Sequence, residues 1–205
     1  MLYLKRNIES TLIALWKIEE SFDELLAMLD DKSMLTNILS VKSARIRLEK
    51  IAIRVLLKTI LGEEQNIVYN EAGRPFLHGK DLHVSISHTN GFVAIALNKA
   101  NEVGLDIEYI SDKILRVKER IVSDAEYIDL SQELTHLLLH WCAKESMFKV
   151  MDSDGVDYID HMYINHFTPS MEGWFKAGES KTAQKRAFDV YYIVDPDFVL
   201  TCLTK

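Results

Sequence analysis

At 205 residues and 48% hydrophobic, with only 8 Gly, 3 Pro and no low-complexity tract, the chain has material for one substantial core or two small lobes, which argues against disorder. A formal charge of −7 argues against a surface given over to nucleic acid, while leaving room for local basic patches. Two cysteines, Cys142 and Cys202, make no multi-bridge framework and no C-x-x-C pair, the stretch MLYLKRNIES lacks the order of a signal peptide, and no apolar run nears bilayer length, so a soluble cytoplasmic protein is expected.

In chain order, TLIALWKIEES (11–21) reads as a strand. SARIRLEKIAIRVLLKTILG (43–62) follows as a helix with Ile46, Ile53, Leu56, Leu57 and Ile60 near one face and Gly62 as its stop. Short strands come next at 66–70, 74–77, 82–87, 92–98 and 103–110, parted by the turn signals EAG, HGK, TNG and KANE. From Ser111 to about Val150 the texture is helical. Ser123 with Glu126 three residues on has the pattern of a capping box, and Leu134, Leu137, Leu138 and Trp141 recur at helical spacing after Ser131. Strands return at 161–168, 173–179, 186–194 and 198–204. This order predicts an α+β fold with two sheets each served by a helix; the family resemblance carried by the motifs below implies in addition two similar lobes, a pseudo-dimer with the site at its junction, divided as 1–105 and 106–205.

The strand ending in VGLDIE places Asp106 and Glu108 two apart, hence on one face. Such a pair is either a solvated strand end or a site for a hard divalent cation. In WCAKESMFKV, Trp141, Glu145 and Lys149 lie along one side of a helix and Lys144 on the adjoining stripe. Glu145 either pairs with Lys149 or joins Asp106 and Glu108 in a three-carboxylate site, leaving Lys144 and Lys149 for phosphate oxygens. Carboxylates with a metal and lysines are the inventory of phosphoryl chemistry. Ser87-His88 is expected where a strand exits into a turn, with His88 either a satisfied turn histidine or a phosphate donor. Gly73-Arg74-Pro75 alone marks only a tight turn. His136 and His140 look like a metal pair, but without the H-E-x-x-H glutamate they read as packing residues. Asp152, Asp154 and Asp157 mimic a calcium loop but lack its glycine and terminal glutamate.

Four motifs occur in order: Gly73-Arg74-Pro75, Ser85-Ile86-Ser87-His88, Gly104-Leu105-Asp106-Ile107-Glu108, and Trp141 through Lys149 as W-x-x-K-E-x-x-x-K. Together they resemble the 4'-phosphopantetheinyl transferases, in particular the monomeric two-lobed type that activates carrier proteins of fatty-acid, polyketide and nonribosomal-peptide synthesis. The resemblance covers residues 40 to 150 well and the remainder only in pattern. It implies transfer of the 4'-phosphopantetheine arm of coenzyme A to a serine of an acyl or peptidyl carrier protein, releasing 3',5'-ADP. It also implies Mg²⁺ held by Asp106, Glu108 and Glu145, with Glu145 or a metal-associated water taking the serine proton and Lys149 assisting the leaving phosphate. Gly73, Arg74 and Pro75 would lie against the adenine. His88 and either Arg45 or Arg47 would meet the 3'-phosphate, Ser87 would contact the coenzyme, and Lys144 a phosphate as well. Arg74 stands where lysine is commoner and Thr89 where serine is frequent; both keep the chemistry. The acidic run VMDSDGVDYID departs from the Gly/Lys-rich stretch expected after Lys149.

Carrier proteins are acidic along their recognition helix, so KILRVKER (113–120), with Lys113, Arg116, Lys118 and Arg120, is either the docking segment or a solvated amphipathic helix. A monomer is expected. Two rivals stand beside this reading: a non-catalytic carrier-protein or coenzyme A binder, and an unrelated Mg²⁺ phosphohydrolase, which has no need of the G-R-P and S-H motifs.

Overall fold

The structure, a computed structural model, describes all residues except Asp152 and Lys205. It divides into two compact units, Met1–Ala100 and Asn101–Lys205, each mixing helix and sheet.

The first unit opens with β1 (Leu2–Ile8), which the sequence reading had not assigned because its apolar and polar residues follow no clean alternation. It pairs with β2 (Thr11–Lys17), and short helices α1 (Phe22–Ala27) and α2 (Leu35–Leu39), also unassigned, follow. The long helix α3 (Ala44–Leu61) lies where its apolar periodicity places it. Ser43 caps it by accepting the Ile46 N–H, and Gly62 ends it at φ 80°, a left-handed conformation that glycine adopts without steric cost. Strands β3 (Ile67–Tyr69) and β4 (Pro75–Leu77) make a separate hairpin. Strands β5 (His83–Thr89) and β6 (Phe92–Asn98) complete a four-stranded antiparallel sheet of order β1-β2-β6-β5. Ile51, Val55, Leu56 and Leu57 of α3 pack with Ala14, Trp16, Val93 and Ile95, each fully buried aliphatic side chain contributing about 1.5–3 kcal/mol.

The second unit is a five-stranded antiparallel sheet of order β7-β11-β10-β9-β8, formed by β7 (Gly104–Tyr109), β8 (Met162–Ile164), β9 (Glu172–Glu179), β10 (Ala187–Val194) and β11 (Phe198–Thr204). The expected boundary at 105/106 would cut β7, which pairs along its length with β11 and so belongs to this unit. Residues 112–120 form a 3-10 helix with Ile114 turned inward. Ser123–Asp129 is not helical: Ser123 and Glu126 exchange backbone and side-chain hydrogen bonds within a turn. Asp129 then caps a short 3-10 turn (Leu130–Gln132) leading into α4 (Glu133–Val150).

Helix α4 is buried on most of its circumference, including His136, His140 and Lys144. Leu137, Leu138, Leu139 and Met147 pack with Phe175, Val190, Tyr192 and Val199 in the core of the unit. Cys142 and Ser146 seat α4 on the sheet through Val199 and Thr201. Gly104 is the closest approach. A Cβ there would stand 3.0 Å from the Ser146 carbonyl carbon and nearer still to its oxygen, so only glycine lets α4 lie this near β7.

Candidate active site

The β7 pleat sends Gly104, Asp106 and Glu108 to the face on which α4 rests, and α4 returns Trp141, Glu145 and Lys149 toward them. Each carboxylate of this group is held by a different donor. Lys149 Nζ donates to Asp106 Oδ1 at 2.9 Å and to the Leu105 carbonyl at 2.7 Å. Trp141 Nε1 donates to Glu108 Oε1 at 2.7 Å. Tyr158, from the segment after the helix, donates its hydroxyl to Glu145 Oε1 at 2.7 Å.

The three carboxylates also act on one another. Burial, with the charges of Asp106 and Glu145, pushes Glu108 up to about 7 against the pull of Trp141 and Lys149. Burial and Asp106 likewise raise Glu145, opposed by the Tyr158 hydrogen bond. Glu108 and Glu145, each raised by burial and by the neighbouring Asp106 charge, have with Asp106 the chemistry of a hard-cation site, since a bound divalent ion would relieve both effects. With the donors above in place, no three acidic, His or Cys side chains among the described residues converge as an assembled metal cluster.

Lys144 corrects the expectation that it meets phosphate. Its side chain is fully buried, and Nζ donates to Glu126 Oε2 (2.8 Å), the Ile121 carbonyl (2.7 Å) and the Tyr158 carbonyl (2.8 Å), which uses all three protons. Glu126 is 3% exposed; burial opposes its ionisation, but hydrogen bonds from His140 and Lys144 and the Lys144 charge bring it down to about 2. His140 Nδ1 lies 3.5 Å from Glu126 Oε1, and His136 Nδ1 accepts the Asp129 N–H at 2.9 Å. These histidines serve packing, against each other and Phe167. Among the calcium-loop aspartates, Asp152 lies outside the described residues, and Asp157 spends its carboxylate on the N–H groups of Ile159 and Asp160.

In the first unit, Arg45 and His88 share one carboxylate that the sequence reading had passed over. Glu49, 3% exposed, lies 2.9 Å from Arg45 Nε and 3.2 Å from His88 Nδ1, while both basic side chains keep substantial exposure. Arg47 instead turns its guanidinium to the carbonyls of Val41 and Lys42. Ser87 and His88 are not in a turn: they lie inside β5, where His88 pairs with Val93 and the reversal falls at Gly91, φ 77°. Gly73, at φ 77°, and Arg74 belong to the β3–β4 reversal, where Asn70 accepts the Arg74 N–H, and Pro75 opens β4. The spacing of Arg45 and Glu49, four apart on α3, was the available signal for Glu49; Glu126 had one in its capping pattern, and Tyr158 had none.

Residues 102–199 match the family model described as the 4'-phosphopantetheinyl transferase superfamily. The chain is 33% identical over 121 residues to the 4'-phosphopantetheinyl transferase gsp of Aneurinibacillus migulanus, covering 55% of this chain and 50% of that protein. It is 32% identical over 107 residues to the 4'-phosphopantetheinyl transferase AcpT of Salmonella typhimurium, covering 48% of this chain and 56% of the relative. For AcpT of Escherichia coli K12 the figures are 29% over 109 residues, 48% and 55%. The chain spans about half the length of these curated relatives. The superfamily match contains the whole Asp106, Glu108, Glu145 and Lys149 group, and Lys144 with its Glu126 anchor.

Proposed function

We propose that the protein transfers the 4'-phosphopantetheine arm of coenzyme A to a serine hydroxyl of an acyl or peptidyl carrier protein, releasing 3',5'-ADP. The observation that carries this reading is the meeting of Asp106 and Glu108 on β7 with Glu145 and Lys149 on α4, inside the segment that matches the superfamily. Asp106, Glu108 and Glu145 would hold Mg²⁺, which when bound supplies positive charge to the pyrophosphate oxygens. The serine oxygen forms a bond to the β-phosphorus as the bond to the departing 3',5'-ADP breaks. Glu145, whose carboxylate burial has already made more basic, receives the serine proton. Lys149, ammonium near the Asp106 carboxylate and partly exposed, offsets the charge that gathers on the departing phosphate.

Recognition of the nucleotide is assigned to the first unit. Arg45 and His88, both poised on Glu49, are the pair chosen for the 3'-phosphate in place of Arg47. Gly73, Arg74 and Pro75 take the adenine, and Ser87, next to His88 on β5, joins the coenzyme-binding side chains. The 3-10 helix at 112–120 exposes Lys113, Leu115, Arg116 and Arg120, a basic and partly apolar surface suited to an acidic carrier. Lys118 contributes less, because Glu133 holds its ammonium at 2.6 Å.

The test is intact-mass measurement of an apo carrier protein after incubation with the protein and coenzyme A, with Mg²⁺ and with chelator. A metal-dependent gain of one phosphopantetheine arm, lost in Asp106→Ala and Glu145→Gln variants that remain folded, is expected. No gain on fatty-acid or peptide carriers from a folded chain that binds coenzyme A would overturn the reading.

A further inference from the structure

Two successive residues of α4 grip Tyr158 at its two ends. Lys144 donates to its backbone carbonyl at 2.8 Å, and Glu145 accepts from its hydroxyl at 2.7 Å. The Lys144 ammonium is itself fixed by Glu126 and the Ile121 carbonyl. The turn presenting the tyrosine is closed by its own bonds: Asp157 Oδ1 accepts from Ile159 and Asp160, and the Asp157 N–H donates to His161 Nδ1 at 2.8 Å. Its half-buried ring stands 5.5 Å from that of Trp141 and 6.3 Å from that of Phe148. A tyrosine held in this way cannot swing aside without breaking a partly buried, charge-assisted hydrogen bond to Glu145.

From this geometry we propose that Tyr158 is a positioning residue, which fixes the Glu145 carboxylate for the transfer reaction and is itself anchored by the Glu126–Lys144 pair. The inference rests on the transferase reading of Glu145. A glutamate on a half-buried helix face has several side-chain rotamers open to it. The Tyr158 hydroxyl engages one oxygen and so holds the carboxylate in one rotamer, in which it feels the Asp106 charge and leaves its second oxygen for a ligand. Tyr158 lies outside the four motifs that carry the resemblance, in the acidic stretch that follows Lys149.

Tyr158→Phe removes one oxygen and keeps the ring against Trp141 and Phe148. With the full chain, two quantities are compared against wild type: Mn²⁺ affinity of the protein alone, read from the electron paramagnetic resonance of free Mn²⁺, and the steady-state kinetics of arm transfer. A loss of about tenfold in Mn²⁺ affinity and in kcat is expected, with KM for coenzyme A and the thermal midpoint unchanged. Asp157→Ala, at an exposed turn residue, loosens the same segment without touching a carboxylate of the site and should shift both quantities in the same direction. If wild type binds Mn²⁺ and transfers the arm while both variants match it, the positioning role is overturned. A wild-type chain that does neither overturns the transferase reading together with the inference.

Discussion

Gly104→Ala adds one methyl group where β7 meets the backbone of α4. The φ of Gly104 lies outside the left-handed region, so alanine can adopt the local conformation and the cost is steric. The new Cβ would stand 3.0 Å from the Ser146 carbonyl carbon, and rigid backbone on both sides leaves no side-chain rotamer to give way. Relief requires α4 to withdraw by on the order of 1 Å, at a cost of about 1–3 kcal/mol for overpacking. Ser146 adjoins Glu145 and lies one turn from Lys149, so the same withdrawal stretches the 2.7 and 2.9 Å bonds from Lys149 to Leu105 and Asp106. A displacement of about 1 Å at reacting groups costs roughly 100-fold in rate. Urea unfolding followed by tryptophan fluorescence should record the stability loss, and mass-detected transfer the loss of turnover. A variant with wild-type stability and transfer within about twofold of wild type would refute the claim that this contact sets the distance between strand and helix.

Lys144→Met should destabilise the second unit by about 3–5 kcal/mol in urea, because Glu126 is left as a buried charge without its ammonium; a surface-like change of under about 0.5 kcal/mol would contradict its structural role. Acid should act in two stages. Burial, then the neighbouring His140, lowers His136 to about 4, so the stability it contributes is complete above 6.5 and drains away as pH falls from 6.5 toward 4. Glu126, at about 2 against an ordinary 4.5, loses its contribution only below 4.5. Each contribution amounts to about 3 kcal/mol; His140, also lowered by burial, adds to the first, and Glu108, raised to about 7, opposes it between 7 and 4.5, so the His136 part is read as the pH-dependent difference in unfolding between wild type and His136→Gln. Finally, His88→Ala and Arg45→Ala should raise KM for coenzyme A by about tenfold with little change in kcat, while Arg47→Ala should affect stability alone; a pure kcat defect at His88 would remove it from the nucleotide site.

Much of the chemistry was legible because it sits in regular elements. Period-two alternation put Asp106 and Glu108 on one face of β7, and helical spacing put Glu145 and Lys149 on one side of α4. Ser43 and Gly62 announced the ends of α3. What stayed hidden depends on contacts between distant residues. In the sequence Lys144 and Lys149 are equivalent cations on neighbouring stripes; only the fold reveals that Glu126, eighteen residues earlier, draws one inside while Asp106 holds the other at the site. Arg45 and Arg47 were inseparable for the same reason, until His88 and Glu49 joined Arg45. Strand β1 escaped notice because an edge strand, with a register shift between Leu2 and Leu4 and one face largely exposed, carries a weak pattern.

The enclosure of Lys144 has a bearing on how the protein could be watched in solution. An amine with no exposed surface cannot react with acylating reagents while its surroundings remain closed, whereas its helix neighbour Lys149 keeps 27% of its side chain accessible. Acylation kinetics at these two lysines, resolved by peptide mapping, therefore separate local accessibility from cooperative opening of the second unit. The inner amine acts as an internal clock for that opening, and a carrier or coenzyme that slows modification of Lys149 alone can be distinguished from one that stabilises the entire unit.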